Sequence, residues 1–79
     1  MVLSKAQIKA LRKRYEGVSD VGGVAAAAKE VGITKMSIYK ILDGGNVRTK
    51  TVESALAGLL ALEAKQEKLK EEVGELLAA

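Results

Sequence analysis

The sequence predicts an all-α protein: a compact four-helix helix-turn-helix domain over residues 1–60, continued by an extended amphipathic helix over residues 61–79. Three observations predict it. Two short helical patterns meet at a single glycine between Val24 and Leu42, apolar residues recur at helical spacing on either side of them, and nothing reads as a strand. A chain of 79 residues holds one domain with a modest core.

The first helix is expected over about residues 5–16. Ser4 precedes it, and Gln7 three residues later completes a capping-box signature. Ile8, Leu11 and Tyr15 share one face, the opposite face is basic, and Gly17 ends the pattern. A second helix begins somewhere between residues 20 and 24, with Ser19 or Asp20 as cap and Gly22 and Gly23 weakening its first turn. Ala28 stands four residues before Gly32, where two steeply crossing helices leave room for little more than a methyl group. Gly32 is where the chain must leave that helix, and a left-handed conformation costs glycine least.

Thr34 is the expected cap of a third helix ending at Leu42. Ile38 points inward from it, and Val31, Ile33, Ile41 and Leu42 close the core around Ile38. Asp43-Gly44-Gly45-Asn46 is a strong stop and turn signal. Thr49 or Thr51 then caps a fourth helix carrying Val52, Ala55, Leu56 and Leu59. No proline or reliable stop follows, so this helix is expected to run on, with Gly58 and Gly74 as its soft points.

In a heptad reading of that segment, position a holds Val52, Leu59, Gln66 and Val73, and position d holds Ala55, Leu62, Leu69 and Leu76. The expected dimerisation residues are Leu59, Leu62, Gln66, Leu69, Val73 and Leu76, with Gln66 fixing the register. Charge bears on orientation. A parallel pair sets Lys65 against Lys70, whereas an antiparallel pair crossing near residues 66–69 matches Lys65 with Glu72 and Glu63 with Lys70. Antiparallel pairing is therefore favoured, although exposed ion pairs are worth under about 1 kcal/mol each. The bland alternative is a solvated helix folding back on its own domain.

Charge is unevenly divided. Residues 1–50 carry ten Lys/Arg against four acids, and residues 51–79 carry three against six. The basic half is the half with the hinge, as a footprint for phosphate requires. The chain has neither cysteine nor histidine, so disulfides, thiolate metal sites and the commonest general base are all excluded. No acid pair is spaced for general acid/base work, and the glycines at 22, 23, 44 and 45 do not make a phosphate loop. Neither an enzyme nor a cofactor is expected. The apolar run from Ala55 to Leu62 falls far short of a membrane span of about 20 residues. With no secretory signal visible, a cytoplasmic protein is the expectation.

Residues 24–44 resemble the helix-turn-helix of the lambda-repressor/Cro class at Ala28, Gly32, Ile38, Ile41 and the Asp43-Gly44 turn. Residues 46–56 are similar to that class's loop and fourth helix. Within the class, Gly22 to Val52 looks closest to the antidote proteins of prophage and plasmid addiction modules. Ala28, Gly32, Ile33, Ile38-Tyr39-Lys40, Leu42, Gly45-Asn46, Arg48 and Thr51-Val52 carry that likeness. Val47 departs from it, standing where those proteins usually have proline, and so does the C-terminal Leu/Glu/Lys helix.

The resemblance implies that the helix after Thr34 enters the major groove of double-stranded DNA. Its outward residues Lys35, Met36, Tyr39 and Lys40 are the expected base readers, with lysine donating to guanine and Met36 packing on a thymine methyl. Thr34 and Ser37 suit phosphate, and Asn46, Arg48 and Lys50 resemble the family's second phosphate clamp. The implied function is a homodimeric, autoregulatory repressor on a palindromic operator. Two alternatives stay open: an antitoxin whose C-terminal helix also binds a toxin, and an architectural DNA-binding domain of the factor-for-inversion type.

Overall fold

A computed structural model describes residues 1–78. It is all-α, with α1 over Lys5–Gly17, a 3-10 turn over Ser19–Val21, α2 over Gly23–Val31, α3 over Lys35–Leu42 and α4 over Thr49–Ala78. There is no strand among the described residues.

The caps explain where three of these elements start and stop. The Ser4 hydroxyl accepts from the Gln7 amide while the Gln7 side chain accepts from the Ser4 amide, so the capping box at α1 is complete. Thr34 caps α3 by accepting from the Ser37 amide. The chain leaves α2 at Gly32, which has φ of 72°. There the amides of Gly32 and Ile33 donate to the carbonyls of Lys29 and Ala28, the two bonds of a Schellman motif. The same pair of bonds recurs after α3, from Gly44 to Ile41 and from Gly45 to Lys40. Helix α3 is thus entered and left through matching turns.

Two caps differ from those expected: α2 starts after Gly22 with no side-chain cap, Ser19 and Asp20 lying in the 3-10 turn before it, and α4 has no threonine cap. Arg48 holds the flanking position, its carbonyl accepting from the amides of Thr51 and Val52, and both threonines lie inside the first turn.

Ile38, Ile41, Leu59, Leu62 and Val18 are the largest fully buried side chains, joined by Tyr15, Ala27, Ala28, Leu42 and Ala55. Each of the buried Ile, Leu and Val side chains contributes about 1.5–3 kcal/mol through burial. Helix α2 packs most extensively on α4. Their backbones meet at Gly58, buried where a side chain would strike the Ala27 carbonyl. Gly58 is therefore a contact point rather than a soft point. Ala27, at 0 % exposure, is the residue at this crossing, and Ala28 is buried beside it.

Two expected dimerisation residues belong to this core. Leu59 and Leu62 are 0 % and 1 % exposed within a single chain, so neither is free for a partner. Gln66 is also committed at home, where its amide nitrogen donates to the Gly17 carbonyl at 2.6 Å and closes the C-terminal end of α1. Beyond Gln66 every described residue of α4 is exposed. The packed unit therefore reaches Gln66, past the boundary expected at residue 60.

Candidate nucleic-acid interface

On α3, residues 38, 41 and 42 turn inward and leave an outward arc made by Lys35, Met36, Tyr39 and Lys40. Met36 is 67 % exposed and Tyr39 44 %. The helix sequence from Lys35 to Leu42 contains no acid, so nothing on this arc repels a phosphate. The four residues expected to read bases share one face.

The expected phosphate contacts divide into two groups. Ser37, Asn46 and Arg48 line one shallow cleft with Thr51 and with Lys40, expected as a base reader; it is formed by α3, the turn after it, the first turn of α4 and Met1. Thr51, expected only as a cap, is an added hydroxyl there. Lys50 is exposed on the first turn of α4 but does not line the cleft. Thr34 and Ser37 are partly committed to each other, their hydroxyl oxygens 3.0 Å apart. Asn46 presents its side-chain oxygen to the Met1 amine, and Val47 pairs with Met1 through its backbone amide at 2.9 Å. The amide nitrogen of Asn46 remains available as a donor, the polarity a phosphate oxygen requires.

Side chains from outside the motif hold α3 in place. Arg12 donates to the Leu42 carbonyl at 2.8 Å and lies 3.6 Å from Asp43, so a cation sits at the negative end of the helix dipole. From the other side, α4 is tied down by ion pairs: Arg14 to Glu63 through both carboxylate oxygens, and Lys65 to Glu30 at 3.4 Å. The Glu63 carboxylate raises the Arg14 guanidinium above its usual value. These pairs remove Glu63 and Lys65 from the charge matching that favoured an antiparallel dimer. Glu72 and Lys70 are left without those intended partners.

Tyr15 was expected only as an apolar face residue of α1. It is 4 % exposed, and its hydroxyl donates to the Ala55 carbonyl of α4 at 2.7 Å. Burial pushes its pKa up to about 12, against a smaller opposing effect from Arg14.

Past the core, Leu69, Val73, Leu76 and Leu77 are 51 %, 47 %, 75 % and 80 % exposed. Leu69, Val73 and Leu76 continue the helical face that buries Leu59 and Leu62, and a small cleft with Val21 and Gln66 marks where covered face gives way to uncovered. Among the described residues, no group of His, Cys, Asp and Glu is placed to hold a metal ion, and no helix is long and apolar enough to cross a membrane. The chain matches no family model, no curated protein and no solved structure.

Proposed function

We propose that this protein is a sequence-specific regulator of transcription that binds double-stranded DNA as a homodimer and represses its own gene from a palindromic operator. One observation carries the reading. The acid-free outward arc of α3 adjoins a cleft that gathers Ser37, Lys40, Asn46, Arg48 and Thr51, so base-facing and phosphate-facing groups lie on one side of a rigid, doubly capped helix. The likeness to the lambda-repressor/Cro class supports the same reading. In it, Lys35, Met36, Tyr39 and Lys40 meet base edges, Arg48 and Lys50 neutralise phosphates, and Thr34, Ser37, Asn46 and Thr51 offer hydrogen-bond donors to phosphate oxygens.

Pairing of two copies rests on Leu69, Val73 and Leu76, the part of the seam that the core leaves free, with Leu77 beside it. Cytoplasmic location follows from the function proposed. The same exposed face favours a second reading, an antitoxin whose C-terminal helix is covered by a toxin. Selection of bound duplexes from a random pool tests the main reading. A palindromic consensus supports it, and binding that is indifferent to sequence or insensitive to salt overturns it. Co-purification of one small partner in place of a homodimer turns the assignment to the antitoxin.

A further inference from the structure

Helix α1 carries five basic residues, and the structure separates them into two sets. Arg12 and Arg14 are used internally, on Leu42 with Asp43 and on Glu63. Lys5, Lys9 and Lys13 are exposed, and none takes part in an ion pair among the described residues. Spaced four residues apart, they form a ladder on one face, with rungs about 6 Å apart and a reach of about 12 Å.

This arrangement is unfavourable to α1 itself on two counts. Like charges at i and i+4 repel. Lys5 is the first residue of a helix with no acid in its first turn, where the macrodipole disfavours a cation. A polyanion laid along the face relieves both.

The ladder also adjoins the interface already described. Ile8 packs beneath Gly44, Arg12 reaches Leu42 and Asp43, and the Met1 backbone pairs with Val47, so α1 runs beside the end of α3 and the Gly44 turn, and the segment before it runs beside Asn46 and Val47. Lys5, Lys9 and Lys13 line a cleft with Leu42 and Asp43. Of its two acids, Asp43 is paired with Arg12, and Glu16 neighbours only the last rung, Lys13, leaving Lys5 and Lys9 clear of it.

We propose that Lys5, Lys9 and Lys13 form a second phosphate track, which grips the DNA backbone beyond the footprint of α3. This rests on the DNA-binding reading above. Phosphates recur every 3.4 Å of axis along one strand, so a 12 Å ladder passes about four of them, enough for each of the three lysines to meet one. It adds affinity and salt dependence without adding sequence preference.

The test uses the full chain and two duplexes sharing the selected core, one trimmed to that core and one extended by about 8 bp on each side. Affinity is measured against salt for the wild type, for a triple Lys→Gln variant at positions 5, 9 and 13, and for the matching triple Lys→Arg variant. On the extended duplex the glutamine variant is expected to lose about 2–3 from the slope of log affinity against log salt, with the arginine variant unchanged. On the trimmed duplex all three coincide. Equal slopes for all proteins on both duplexes overturn the track and leave the α3 reading standing, as does a slope that falls equally on both duplexes. Loss of slope in the arginine variant also overturns it, because the effect then follows from altered folding rather than charge. If the wild type selects no DNA, the functional reading fails first and the track with it.

Discussion

Gly58 lies against the backbone of Ala27, close enough that a Cβ at Gly58 would stand 2.5 Å from the Ala27 carbonyl oxygen. Alanine in mid-helix normally gains about 1 kcal/mol over glycine. Here that gain is outweighed, because the obstacle is backbone on a packed helix and overpacking costs about 1–3 kcal/mol. Gly58→Ala is therefore expected to lower the thermal midpoint, whereas Gly74→Ala, with nothing near its Cβ position, raises it or leaves it unchanged. Thermal melts of the two variants check this.

Tyr15 gives the protein a sensitivity to alkali. The phenol is held neutral by burial, so its pKa rises from the ordinary 10 to about 12 on folding. A raised pKa means that the folded state retains the proton longer. The associated stability is fully present below pH 10 and is lost as pH climbs from 10 towards 12, at about 1.4 kcal/mol per unit. Tyr15→Phe should cost about 1 kcal/mol at neutral pH through the hydrogen bond to Ala55, and that deficit should shrink above pH 10. Denaturant titrations at pH 7, 10 and 11.5 measure the difference.

Lys40 and Arg48 line one cleft, yet their losses should read differently. Lys40→Ala is expected to relax preference at one operator position by about 1–3 kcal/mol, as removal of a base contact does. Arg48→Ala weakens binding to every sequence and reduces the salt slope by about 1. Competition binding against single-base operator variants separates the two.

Leu59 and Leu76 fall seventeen positions apart on one helix, at 0 % and 75 % exposure. Leu59→Ala opens a cavity in the core and should cost about 2–5 kcal/mol. Gln in place of both Leu69 and Leu76 should leave the helical signal intact and shift sedimentation to that of a monomer. A double variant that still sediments as a dimer removes the C-terminal face from the assembly.

The helices were legible in the sequence where local chemistry decides them. Ser4 with Gln7, Thr34 with Ser37, and Gly32 each act within three or four residues, and all three do what their spacing implied. The α3 arc was legible for the same reason, since one helix's periodicity sorts Ile38 from Tyr39. Gln66, Glu63 and Lys65 were not, because their partners Gly17, Arg14 and Glu30 lie 49, 49 and 35 residues away. Heptad spacing also could not divide one stripe between home and partner. Leu62 and Leu69 occupy the same heptad position, and only the place where α2 and the 3-10 turn run out distinguishes them.

α4 runs unbroken for 30 residues, about 45 Å, nearly the whole 49 Å length of the molecule. Up to Gln66 it belongs to the packed unit against which α3 is seated, and beyond Gln66 it is the free face. No break interrupts α4 between the end that would hold a partner and the core that seats α3. Two copies joined by their tails would behave as a caliper of fixed opening, so the spacing of operator half-sites becomes a length written into one helix. Inserting residues between Gln66 and Leu69 would turn and lengthen that caliper by 100° and 1.5 Å each.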